Sequence, residues 1–152
     1  MEKQFSIESA LVAGFVATIA MTAFTYMSPL MGFEMNIPKM LAGTMGASII
    51  VGWMAHFMVG LILAINYGAI FLSITKRVSD FKTGALFGIL PWLFAQLMMM
   101  PMMSVMNGGS FTSGLFSGSI MLAMASLVGH LIYGAILGAM YKPQIMAAGA
   151  TV

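Results

Sequence analysis

His56 to Tyr67 reads HFMVGLILAINY, and His130 to Tyr141 reads HLIYGAILGAMY, 74 residues further along. Each copy carries a His, then Gly at +4, Ile-Leu at +6 and +7, and Tyr at +11. In a helix these offsets align the His, the Gly and the small residue at +8 (Ala64, Gly138) on one stripe, with the Tyr a turn beyond. Each His also stands near the middle of an apolar run of about 20 residues, the length that crosses a bilayer. The stretch therefore predicts a repeated membrane helix with one intramembrane histidine per copy.

The rest of the composition agrees. The chain of 152 residues is 61% hydrophobic and 7% charged, with no cysteine, against roughly 25% charged residues in a soluble domain. A net charge of +2 on so apolar a chain is no nucleic-acid footprint. Lacking cysteine, it has no disulfide frame, thiolate site or CxxC motif. We expect an all-α integral membrane protein in one domain, 1–152.

Working outward, four spans are predicted. The first runs from Ile7 to about Met27, with small residues Ala10, Gly14, Thr18 and Thr22 at four-residue spacing, a face that lets helix backbones approach closely in lipid. Ser28-Pro29 closes it, because proline disfavours helix at the preceding residue. Asn36 and Pro38 look like a helix start, so the second span is expected from near Pro38 to about Ser73. The charged stretch from Thr75 to Lys82 follows, then a third span from Thr83 to about Met100 with Pro91 inside it. Ser104 to Ser117, uncharged and rich in Gly and Ser, reads as a loop, and the fourth span runs from about Gly118 to Tyr141, followed by a tail of small residues.

The offset extends beyond the stretch that suggested it: Ala10 aligns with Gly84, Gly14 with Gly88 and Gly52 with Ser126. Agreement is lost at Thr18 and Thr22, which fall on Trp92 and Gln96. We therefore expect two tandem parallel hairpin repeats, about 7–73 and about 82–142, related by an axis along the membrane normal. His56 and His130 then lie at one depth and face each other. Lys3, Lys76, Arg77, Lys82 and Lys142 fall on one side and Lys39 on the other. Positive residues favour the cytoplasm, so both termini are expected there.

The chain resembles a group of small bacterial four-span inner-membrane proteins that carry a domain of unknown function. The stretches behind this are Ala13 to Met27 (AGFVATIAMTAFTYM), Ile37 to Gly43 (IPKMLAG), and Gly52-Trp53-x-x-His56 with Gly60 and Tyr67. The resemblance implies the four-span fold and a bacterial inner membrane, and no established activity.

Ionisable groups inside a bilayer are expensive and point to function by default. Two opposed imidazoles in a four-helix bundle suggest a bis-His haem b site, with His56 and His130 as axial ligands to the iron. Gly60 and Gly134, one turn away, would leave room for the macrocycle. The plainer reading makes each His interhelical glue, bonded to Thr18, Thr22, Gln96, Tyr67 or a carbonyl, at roughly 0.6–2 kcal/mol. Proton or ion handling is the third. Of 19 methionines, several gather at the outer ends of the first and third spans, including Met35, Met99 and Met103. Thioethers select Cu(I), yet methionine also fills irregular gaps between helices, and packing is the favoured reading.

No phosphate loop, Ser–His–Asp set or paired carboxylate is present, so an enzyme is not expected. The leading expectation is a structural or accessory subunit of a larger membrane complex, such as an electron-transfer assembly, in contact with other subunits or with copies of itself. The alternative is a small transporter or channel passing protons or metal ions by the two histidines. It needs polar side chains along the axis, and the sequence offers Thr18, Thr22, Asn66 and Gln96.

Overall fold

Ser6 begins the first long helix, its hydroxyl accepting the Ser9 amide at 3.3 Å. From that cap helix α1 (Ile7–Tyr26) buries its small residues, among them Ala10, Ala13, Gly14 and Ala17, and turns Leu11, Val12, Phe15 and Ile19 outward. Lipid tails are as apolar as leucine, so close backbone packing rather than burial of bulk holds such a face. The computed structural model describes residues 2–146 and has three further helices long and apolar enough to cross a membrane: α3 (Ile49–Thr75), α4 (Phe81–Met106) and α5 (Ile120–Met140). The final small residues, 147–152, lie outside the described part.

Between α1 and α3 stands a shorter helix, α2 (Ile37–Met45), capped by Asn36, whose side chain accepts the Lys39 amide at 3.0 Å. The second span was expected to begin near Pro38, and it does not. Gly46 takes a left-handed conformation at φ 61°, and the Ala47 amide bonds back to the Ala42 carbonyl at 2.9 Å, a glycine-terminated helix end. The chain restarts at Ile49, and α2 folds back on α3 with the Pro38 carbonyl where a side chain on Gly52 would stand.

The third span is also longer than expected. One turn of π-helix, Ala95–Met99, interrupts α4. Pro101 falls in the first turn after it, where a missing N–H breaks no helical bond, and the helix continues to Met106. Another π-helical turn, Tyr67–Phe71, lies in α3. The remaining segment holds a short helical turn, Phe111–Gly114, capped reciprocally by Ser110 and Ser113.

Helix α1 packs on both α3 and α5, and α5 packs along α4. Two short strands, β1 (Glu2–Gln4) and β2 (Gln144–Met146), pair antiparallel and bring the two ends of the described chain together. Below them Tyr67, Phe87, Tyr133, Leu137 and Tyr141 form a buried core with Ala10, Ala13, Ala17 and Ala64. This packed core occupies the strand-ladder half of the bundle.

Asp80 starts α4, accepting the Thr83 amide at 2.7 Å, and that backbone bond holds its carboxyl below the usual carboxylate range. A depressed folded value adds stability above the unfolded pKa and loses it as pH falls through the folded one. Asp80→Asn keeps a cap and should flatten the acid limb of a melting-temperature profile. An unchanged limb would show that Asp80 contributes none of it.

Candidate functional site

Helices α3 and α4 touch through aromatic rings near the strand ladder, where Tyr67 and Phe71 pack on Phe87 at 5.1 and 5.3 Å between centroids. Toward the α2 end they part. The space between them is a chamber of about 720 Å³. Its walls are His56, Val59 and Leu63 of α3, Gln96, Met99 and Met103 of α4, and Ser126, His130 and Tyr133 of α5, with Thr18 and Met21 from α1. At the mouth stand Asn107 and the α2 segment, including Glu34 and Lys39, ion-paired at 3.2 Å.

Both histidines predicted from the repeat line this chamber. His56 is 7% exposed, and its Nε2 lies 2.9 Å from Thr22 Oγ1. The Thr22 hydroxyl donates its single proton to the Thr18 carbonyl at 2.7 Å, so it accepts from His56 Nε2–H. That assignment leaves Nδ1 of a neutral His56 as a lone pair. His130 is arranged the opposite way: its Nδ1–H donates to the Ser126 carbonyl at 2.8 Å, leaving Nε2 as the lone pair. Neither free nitrogen has a hydrogen-bond partner, and among the described residues no fully buried side-chain N or O atom lacks one. Both lone pairs therefore reach open space, and the open space beside both rings is the chamber.

A polar chain runs from His130 toward the mouth. Ser126 Oγ accepts from Gln96 Nε2 at 3.3 Å, and Gln96 Oε1 accepts from the Ser117 hydroxyl at 2.8 Å. Gln96 is 1% exposed and sits in the π-helical turn of α4, a deformation common at functional sites. Ser117 and its neighbour Phe116 hold positive φ values of 58° and 50°, strained for residues with a Cβ. Opposite them, the Tyr133 hydroxyl donates to the Gly60 carbonyl at 2.5 Å and ties α5 to α3.

Thr22 and Gln96 stand out in the sequence as polar residues on apolar faces. Ser126 was traceable as the residue four before His130, the carbonyl a helical side chain reaches. Nothing in the sequence marks Ser117, and Tyr133 reads there as no more than a packing or interface residue, because the partners of both belong to other helices. Trp92 donates to the Ala123 carbonyl at 2.9 Å, and Trp53 stacks on Tyr26 at 5.9 Å, both packing roles.

Gly60 and Gly134 do not serve as expected. A side chain on Gly60 would meet the Thr18 hydroxyl, and one on Gly134 the Gly84 carbonyl. Gly60 does line the chamber, but the space a side chain there would fill is taken by Thr18, and Gly134 is spent in the crossing with α4. The donor set does not fit bis-imidazole haem either. His56 Nε2 is committed to Thr22, and among the described residues the one cation lining the chamber, Lys39, is already paired with Glu34. Among the described residues no three His, Cys, Asp or Glu side chains gather as a metal site. Several methionines do line the chamber, among them Met21, Met35, Met99 and Met103.

Residues 5–147 match the model of a family of unknown function, DUF6789. The chain belongs to that family. No curated protein and no solved structure matches it.

Proposed function

We propose that this protein is a small membrane carrier that takes its ligand into the chamber and holds it against His56 and His130. One observation carries the reading: the chamber opens at the α2 end and stops at the packed tyrosine core, with two imidazole nitrogens unspent on its floor. A concave, mostly apolar space with a few convergent polar groups is the usual form of a ligand site. A vestibule open at one end and sealed at the other is one access state of a carrier. The sequence argument against transport was the scarcity of polar groups along the axis, and Ser117, Ser126 and Tyr133 now join Thr18, Thr22 and Gln96 there.

The cation bias supports an orientation with both termini in the cytoplasm and the chamber mouth on the outer face of the inner membrane. A duplicated pair of hairpins is supported by equivalent positions that meet. Tyr67 and Tyr141 contact edge to face at 5.9 Å, and His56 and His130 share the chamber. In this reading the neighbours are lipid and further membrane subunits or copies.

A chain without cysteine makes the test direct. Ser126→Cys, on the chamber wall, should react with a membrane-impermeant maleimide from the α2 face of sealed vesicles. It should also react, more slowly, from the strand-ladder face. Ala13→Cys, in the packed core, should react from neither. Labelling of Ser126→Cys from the α2 face alone would make the protein a receptor, and the carrier reading would fall.

A further inference from the structure

Two features of the chamber limit what it can hold, taking it as the binding site proposed above. The first is a side opening. Val59 of α3 and Met99 of α4 line the chamber yet are 47% and 41% exposed, flanking the gap where the two helices part. The histidines stand at a neighbouring depth, since Val59 is one turn from His56. The gap thus faces the level at which acyl chains lie, and an apolar molecule can enter from the bilayer without passing the α2 mouth.

The second feature is the hydrogen-bonding sense of the floor. Gln96 is engaged at both ends. Tyr133 donates to Gly60, and Thr18 and Thr22 donate to carbonyls of their own helix. Ser126 Oγ and Gln96 Nε2 each keep a proton to spare but are already bonded, so the polar atoms without any partner are two acceptors, His56 Nδ1 and His130 Nε2. The first belongs to a side chain more than nine-tenths buried. A head group that only accepts, such as a ketone or an ether, would leave both lone pairs unanswered. One that donates answers them, and a buried group left unpaired is what a polar site discriminates against most strongly.

We propose that the chamber binds a lipid-soluble molecule with a hydroxyl head, of the phenol, quinol or long-chain alcohol class. The hydroxyl donates to His56 Nδ1 or His130 Nε2, and the apolar body leaves through the gap between α3 and α4. A cation is the other partner for two lone pairs. The nearest carboxylate, Glu34, is at the mouth and already paired, so a cation would depend on methionine sulfur, and Ag(I) tests for it.

The experiment is calorimetric titration of the full chain in nanodiscs with para-nonylphenol and with para-nonylanisole, its methyl ether. The two share a body and differ in the donor. The phenol should bind roughly tenfold more tightly, the worth of one net hydrogen bond. The double variant His56→Phe/His130→Phe should abolish the preference, leaving phenol and ether with one affinity. Equal affinities in the unaltered protein, or binding of neither probe, would overturn the proposal without reliance on any variant. Binding of Ag(I) with neither organic probe would overturn it too, and assign the floor to a soft cation. Maleimide labelling reports separately on the carrier reading. One-sided labelling with the phenol preference intact sinks the carrier alone, and two-sided labelling with equal affinities sinks the head-group inference alone.

Discussion

Gly84→Ala should push α4 off α5 and lower stability by about 1–3 kcal/mol or more, the range for overpacking a tight contact. The added methyl would collide with the Gly134 carbonyl and come within 2.7 Å of the Gly138 backbone. A flexible side chain could swing aside, but here the obstacle is main chain of the facing helix, so the helices themselves must separate. Gly43→Ala is the control. It lies inside α2 with nothing within 4 Å of the new methyl, and alanine is the better helix former by up to about 1 kcal/mol. Thermal unfolding in detergent, followed by circular dichroism and gel filtration, should show a large loss for the first and none for the second. If Gly84→Ala melts with the unaltered protein, the close crossing of α4 and α5 is wrong.

Tyr67→Ala should do two separable things. Tyr67 is 0% exposed, its ring packed on Phe87, Phe71 and Tyr141 at 5.1, 5.8 and 5.9 Å. Its hydroxyl meets Ser79 Oγ at 2.9 Å, and Ser79 in turn donates to the Gly138 carbonyl at 2.8 Å. Since that hydroxyl proton goes to Gly138, Tyr67 is the donor to Ser79. Truncation to alanine removes a large buried ring and should cost about 3–5 kcal/mol. It also opens a hole beneath the chamber floor, so vesicles carrying the variant should leak protons to an entrapped pH dye. Tyr67→Phe keeps the ring and loses one hydrogen bond, about 1 kcal/mol, and its vesicles should stay tight. A folded Tyr67→Ala protein in tight vesicles would place the seal elsewhere.

Much of this fold is legible in the sequence because run length and capping chemistry suffice for it. Ser28-Pro29 closes α1, and the apolar runs around the two histidines place α3 and α5, while the Ser6 cap came only with the structure. Two boundaries misled for physical reasons. Apolar residues continue from Met40 through Gly46 into Ile49, so periodicity runs on where a left-handed glycine breaks the helix. Pro101 looks like a terminator, yet the preceding π-helical turn changes the bonding register and lets α4 continue. The chamber itself was hidden, because it depends on how the hairpins pack. By the offset, Gly14 corresponds to Gly88. Gly14 sits against Gly60 and Ala64, but it is Gly84 that sits against Gly134 and Gly138, while Gly88 meets the His130 carbonyl. That difference of one helical turn from what the 74-residue offset would pair cannot be read from matching letters.

The strand ladder has a mechanical meaning. With β1 paired to β2, the Ser6 amide donating to the Tyr141 hydroxyl at 3.2 Å and the Lys142 amide to Ser9 Oγ at 2.7 Å, α1 and α5 are bound together like the spine of a book. Helices α3 and α4 are its covers, α4 packed on α5 and α3 on α1 with one further clasp to α5 through Tyr133, and the two are latched to each other through Tyr67 and Phe87. The covers can then swing apart or together while every hydrogen bond in the spine stays whole.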